Sequence, residues 1–390
     1  MKAPFTRTRL ALCGLLAIWS ACSTSASDSG SGGAGTGGKG IGGAPGVGGT
    51  SGIGGVSGTG GAAVDSGVTV DARADTGSSP DAGGNTTSGP SCAPGGPGMT
   101  DCGPGESCCT SPVVTGGMFF RTYRNAGSGP TGTNDPAMVS NFRLDKYLVT
   151  VGRYRQFVAA WAGGWRPAAG AGKHTYLTGG GLAAAGGGIE TGWDTAWNTT
   201  MDVNPTTNSL TRGSFCDSAH ATYTASATGG HETLPINCVS WFEAYAFCIW
   251  DGGFLPSEAE WGYAAAGGSE QRQYPWGSTA PGTMNQYAIY GTNYTGNSTN
   301  IAPVGTAALG AGKWGQLDLA GEVWEWALDW KQTYVNPCTD CVNETPAMFH
   351  IVRGDNFGGS LNNLMPIVRG GDVADPGRDS NFGVRCARAP

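Results

Sequence analysis

Apolar residues recur at helical spacing in three places along a chain otherwise broken up by glycine. Tyr154, Phe157, Val158 and Trp161 fall on one face of a helix predicted over 151–161, and Thr150 stands where it can cap that helix. A second run, Trp241 to Trp250, follows Ser240 as its cap and stops at Asp251-Gly252-Gly253. A third helix is predicted from Pro256-Ser257-Glu258-Ala259-Glu260, where Ser257 and Glu260 have the spacing of a capping box. Elsewhere the apolar runs are short, Ile351-Val352-Arg353 among them, and read as brief strands. Without regular strand–helix alternation, the pattern is α+β with much irregular structure rather than a parallel sheet.

The N-terminal part follows another pattern. Lys2, Arg7 and Arg9 precede an apolar stretch, Leu10 to Trp19, that is too short to span a bilayer. Ser20-Ala21-Cys22 then reads as a lipoprotein cleavage site, with Cys22 as the lipidated N-terminus. Trp19 stands where such sites carry an aliphatic residue, so an ordinary leader cut nearby, with Cys22 incidental, remains the other reading. Both predict export to the cell envelope; a lipid anchor would hold the protein at the outer membrane, facing periplasm or cell surface. Residues 23–91 are almost entirely small and polar. They cannot bury enough apolar surface to offset chain entropy, and they are predicted to be a disordered glycine-rich linker. Residues 92–112 form a small cysteine-rich segment, predicted to hold two local disulfides or to pair with the main domain, which runs over 113–390.

Composition sharpens this. The chain holds 70 glycines and 13 tryptophans among 390 residues, and its net charge is −7. No basic stripe is visible, which argues against nucleic acid as a partner. Setting aside Cys13 and Cys22 leaves ten of the 12 cysteines, an even number that reads as disulfides in an exported chain. Cys338-Thr-Asp-Cys341 raises zinc or redox chemistry, but zinc wants a second ligand pair and the four histidines are scattered. Cys338 with Cys341 and Cys216 with Cys238 are paired by proximity.

Four blocks, in order, resemble the formylglycine-generating enzyme (sulfatase-modifying factor) family. They are Leu144-Asp145-Lys146-Tyr147-Leu148-Val149-Thr150-Val151; Leu234 to Trp241 continuing through Leu255-Pro256-Ser257-Glu258-Ala259-Glu260-Trp261 to Tyr274-Pro275-Trp276-Gly277; Gly315-Gln316-Leu317-Asp318-Leu319-Ala320-Gly321-Glu322-Val323-Trp324-Glu325-Trp326; and Ser380-Asn381-Phe382-Gly383-Val384-Arg385-Cys386-Ala387. The resemblance implies a fold related to C-type lectins. It also implies a disulfide between Cys248 and Cys386, and a structural calcium held by Asp318, the carbonyls of Gly321 and Val323, and Glu325, an oxygen-rich set of the kind hard cations take. The alternative for Asp318 and Glu325 is a pair of solvated or hydrogen-bonded acids. Asn356 and Asn381 match positions lining the family's substrate groove.

One departure decides the expected function. The family's oxidase chemistry uses two cysteines that bind copper(I), and their positions fall here at Gly359 and Leu364, neither of which offers a ligand or nucleophile. Copper is therefore not expected. Iron chemistry of the sulfoxide-synthase kind would need a helical partner domain bearing histidines, and these residues show no such pattern. Arg353-Gly354-Asp355 spells an integrin tripeptide but reads as a degenerate form of the family's Arg-Gly-Gly-Ser. The expectation is a module that has lost oxidase activity and binds an exported protein, a peptide or a glycan. The alternatives are a formylglycine-generating oxidase with a diverged site, and an acid/base enzyme using Asp355, Asp372 or Asp375, loop aspartates that are expected to be solvated.

Overall fold

The computed structural model describes residues 89–93, 96, 102, 106–199, 201, 216–227, 229–371 and 377–390. The leader with Cys22, nearly all of the linker, and Asp372 and Asp375 lie outside the described residues.

The N-terminal strands are β1 (Val113–Val114), β2 (Gly117–Asn125), β3 (Pro130–Val139) and β4 (Phe142–Leu144). Helix α1 (Val151–Ala162), strand β5 (Ala183–Ala184), and helices α2 (Trp241–Trp250) and α3 (Glu258–Ala265) follow. The C-terminal strands are β6 (Trp324–Trp330), β7 (Cys338–Thr339), β8 (Cys341–Val342), β9 (His350–Arg353), β10 (Phe382–Gly383) and β11 (Ala387–Arg388). They form small sheets in the orders β1-β4-β11, β10-β6-β9, β2-β3-β7 and β5-β8. This is an α+β fold with long irregular connections. Among the described residues no helix is long and apolar enough to cross a membrane.

The helices start where their caps predict. The Thr150 hydroxyl accepts from Arg153 N, and Ser240–Glu243 and Ser257–Glu260 each form a reciprocal capping box. Each cap satisfies backbone donors that burial would otherwise leave unpaired, worth about 1 kcal/mol apiece. The apolar face of α1 packs on α2, with Tyr154 stacked on Phe247 at 5.6 Å and Phe157 edge-on to it at 5.7 Å. This aromatic core continues onto β6 through Trp326 and Leu328.

Five disulfides join Cys92–Cys109, Cys102–Cys108, Cys216–Cys238, Cys248–Cys386 and Cys338–Cys341. The first two lie within the cysteine-rich segment. That segment is nonetheless tied to a buried four-charge cluster of the domain, where Arg153 Nη1 donates to Cys108 O at 3.2 Å. Arg153 reaches Asp251 at 2.6 Å, and Arg388 reaches Asp251 at 2.7 Å and Asp145 at 2.8 Å. Ser91 N donates to the other oxygen of Asp251 at 2.9 Å. Two acids against two arginines leave no net buried charge, the condition under which such a cluster is tolerated. Burial alone would raise the Asp251 carboxyl, but the arginines hold it below its ordinary range.

Candidate functional site

The sheet β10-β6-β9 assembles the site. Phe382 pairs with Trp324 in parallel register, and Arg353 pairs with Glu325 in antiparallel register. The start of β10 and the end of β9 therefore both lie at the Trp324 end of β6. Three segments converge there: the 318–323 turn, the chain after Arg353, and residues 379–381. Gly354 O accepts from Gly321 N at 2.7 Å, Glu322 O from Phe357 N at 2.8 Å, and Asn381 O from Trp324 N at 2.7 Å. Glycine is required at 321, because a Cβ there would lie 2.2 Å from Ile289 O. Asp318, Glu322 and Asp355 all hold positive φ, at 59°, 63° and 69°. Such backbone in non-glycine residues costs energy and concentrates at functional sites.

The 318–325 turn holds three buried carboxylates, Asp318, Glu322 and Glu325. Asp318 Oδ2 accepts from Gly305 N at 2.6 Å, while its Oδ1 has no partner. Glu322 Oε2 accepts from Ala302 N at 3.2 Å, and its Oε1 likewise has none. Burial pushes the Asp318 carboxyl up to about 6, with Glu325 adding to the rise. Burial, with Asp318 beside it, also pushes Glu322 well up. Unpaired carboxylate oxygens at full burial are costly unless a cation or a proton answers them. Glu325 differs: Arg385 forks onto both its oxygens at 2.9 Å, and Trp261 Nε1 donates to Oε2 at 2.8 Å. Its Oε1 carries one donor and keeps a lone pair. Asp318 Oδ1 and the remaining lone pair of Glu325 Oε1 are thus the carboxylate positions of the expected set left open to a hard cation, which would also need the Gly321 and Val323 carbonyls. Glu322, which lies inside the third block, was not picked out from the sequence. Among the described residues no three His, Cys, Asp or Glu side chains converge as a ligand group, so carbonyls would be indispensable to any such site.

The segment after β9 is built otherwise. Asp355 is 1 % exposed, which corrects the expectation of a solvated loop aspartate. Its carboxylate folds over Gly359: a Cβ on that glycine would lie 2.0 Å from Asp355 Oδ2 and 2.2 Å from Oδ1. The carboxylate occupies the room that a side chain at 359 would need. Asp355 Oδ2 has no partner, and burial raises the carboxyl to about 6 against hydrogen bonds from Asn356 and Ser360. Leu364, 1 % exposed, packs with Tyr274, Ala288 and Ala320. Neither position fits copper(I). All ten cysteines of the described residues are in disulfides. Arg353 is also only 1 % exposed, so the Arg-Gly-Asp tripeptide is closed to a receptor. Asn356 and Asn381 stand half-buried beside the same sheet end. Asn356 Oδ1 accepts from Gly358 N at 2.8 Å, and Asn381 N donates to Asp379 Oδ1 at 2.8 Å.

Residues 103–390 match the family described as sulfatase-modifying factor enzyme 1-like domain. The chain belongs to that family. Its fold is of the formylglycine-generating-enzyme type, related to C-type lectins. The match starts ahead of residue 113 and so takes in Cys108 and Cys109 of the cysteine-rich segment. The formylglycine-generating enzyme of Thermomonospora curvata is 39% identical over 104 residues, covering 25% of this chain and 33% of that one. A mouse protein named inactive C-alpha-formylglycine-generating enzyme 2 is 34% identical over 163 residues, covering 40% and 49%. The matched stretches thus span between a third and a half of these curated relatives. Among solved structures, PvdO from Pseudomonas aeruginosa aligns over 71% of this chain and 93% of its own, at 19% identity and a TM-score of 0.46.

Proposed function

We propose that this chain is an exported, lipid-anchored member of the sulfatase-modifying factor family that has given up thiol-based oxidation and serves as a ligand- or partner-binding module of the cell envelope. The observation that carries the reading is the Asp355 carboxylate lying where a side chain at Gly359 would have to go. A vacated thiol position could be refilled by one substitution; here the room has been taken by a neighbour. The leader with Lys2, Arg7, Arg9 and Cys22 supports export and anchoring. The unpaired oxygens of Asp318 and Glu322 support a structural calcium. A relative that itself bears the name inactive shows that the family includes members described that way. The ligand is an exported protein, a peptide or a glycan at the Trp324 end of the sheet, flanked by Asn356 and Asn381.

The test gives the purified protein copper(I), oxygen, a reductant and a Cys-x-Pro-x-Arg peptide, with mass spectrometry following thiol-to-aldehyde conversion. No turnover above a copper-only control is expected. Turnover would overturn the reading. A second reading, a diverged enzyme using Asp355 as acid or base, is favoured by that carboxyl's unpaired oxygen and raised affinity for a proton. It requires turnover that disappears in Asp355→Asn.

A further inference from the structure

At the other end of β6 lies a cavity of about 250 Å³ that shares no lining residue with the turns described above. One turn of α2 supplies Trp241, Phe242 and Tyr245, the end of β6 supplies Trp330, and the 191–197 loop supplies Trp197. Positions 241 and 245 are four apart on the helix and so share a face. His350 stacks between Trp241 at 3.9 Å and Trp330 at 3.7 Å, fixing these two walls relative to each other. Trp197 stands edge-on to Trp241 at 5.5 Å.

The walls offer few donors. Trp241 Nε1 donates to Ala327 O at 2.9 Å and the Tyr245 hydroxyl to Gly172 O at 3.2 Å, both turned to backbone. Burial holds the His350 imidazole down at about 3, so it is neutral at physiological pH. No lysine or arginine is among the described residues that line the cavity, and its one carboxylate is Glu344. Thr191 holds that carboxylate in place through its N and Oγ1, each at 3.1 Å. Burial raises the Glu344 carboxyl, while Thr191 and the nearby Lys173 pull it back.

Each ligand class can be set against this lining. An anion meets a carboxylate and no cation. A polyol would bury hydroxyls without partners. A primary ammonium brings three N–H donors to a site whose single carboxylate is already engaged by Thr191. A quaternary ammonium has no N–H to satisfy. Its charge is attracted by aromatic faces and by Glu344, and its methyl groups replace water against apolar walls. The cavity holds on the order of eight water volumes, room for a small headgroup rather than a drug-sized ligand. We propose that this cavity binds a small trimethylammonium compound, with its cationic head against the aromatic wall to which Trp197 belongs and its charge answered by Glu344. The proposal stands whether or not the chain retains oxidase chemistry, because it concerns a different part of the molecule and is read by binding alone.

The experiment titrates the full protein with choline and with glycine betaine, following tryptophan fluorescence and calorimetric heat. Ethanolamine and the uncharged 3,3-dimethylbutanol serve as comparators. Saturable binding of choline is expected, with both comparators weaker by about tenfold or more. Glu344→Gln should weaken choline about tenfold and leave the uncharged comparator unchanged. Trp197→Ala should abolish the fluorescence response, with near-UV circular dichroism confirming that the variant is folded. Retention on phosphatidylcholine vesicles that choline competes away assigns a lipid headgroup as the source; binding of free choline without retention assigns the free compound. Equal binding of the uncharged comparator, or no saturable choline response at millimolar concentration in folded wild-type protein, overturns the proposal.

Discussion

The 318–325 turn and the 355–364 segment abut the same sheet end, yet they have kept different things. The turn retains its carboxylates, its glycine and its positive-φ backbone, all locked by neighbours: Trp261 and Arg385 on Glu325, Gly305 on Asp318, Ala302 on Glu322. In the segment, the two positions expected to match the family's cysteine pair are Gly359 and Leu364, which carry no polar side chain. A carboxylate that is also a packing element is costly to change, because its loss leaves a buried partner behind. Gly359 supports no neighbour, and the Asp355 carboxylate fills the room beside it.

The largest way to break this contrast is Glu325→Ala. It leaves the Arg385 guanidinium buried without its carboxylate and should cost about 3–5 kcal/mol, read from the urea midpoint. A loss within error would mean that the turn is no more constrained than the segment. Calcium comes next. Saturating the turn at about a hundredfold over its dissociation constant should stabilise the protein by about 2.7 kcal/mol, seen as a rise in Tm that chelator reverses and Asp318→Ala abolishes. A Tm indifferent to calcium and chelator would sink the cation reading. Gly359→Cys follows, expected to cost about 1–3 kcal/mol by overpacking against Asp355. Adding Asp355→Gly should recover most of that loss; strictly additive effects would show that the carboxylate is not the obstacle. Smallest is the pH response of Asp355. Burial lifts its carboxyl from an ordinary 3.8 to about 6. Its favourable contribution is thus present in acid and is lost as pH rises through that window. Asp355→Asn should flatten this limb of the stability profile, and an unchanged limb assigns it to other acids.

Much of this was legible in the chain. The helix starts followed from Thr150, Ser240 and Ser257, because a cap is a local device whose partner sits three residues on. The four blocks were legible because they hold the residues that touch one another at the sheet end. The burial of Asp355 was not. An aspartate between glycine and asparagine has the local signature of an exposed turn, and only the empty volume at Gly359 lets it fold inward. Glu322 was missed for a related reason: its partner, Ala302 N, lies in a loop with no recognisable pattern. The aromatic cavity could not be read at all, since Trp197, Trp241, Trp330 and Glu344 belong to four separate segments. Nor could the cluster of Asp145, Arg153, Asp251 and Arg388, whose members look like ordinary surface charges until the fold closes around them.

Asp251 receives Ser91 N on its carboxylate and Arg388 on both its carboxylate and its carbonyl. Ser91 and the last strand, β11, therefore meet at one residue. A pull on the N-terminal side is borne first by that carboxylate and by the covalent Cys92–Cys109 link.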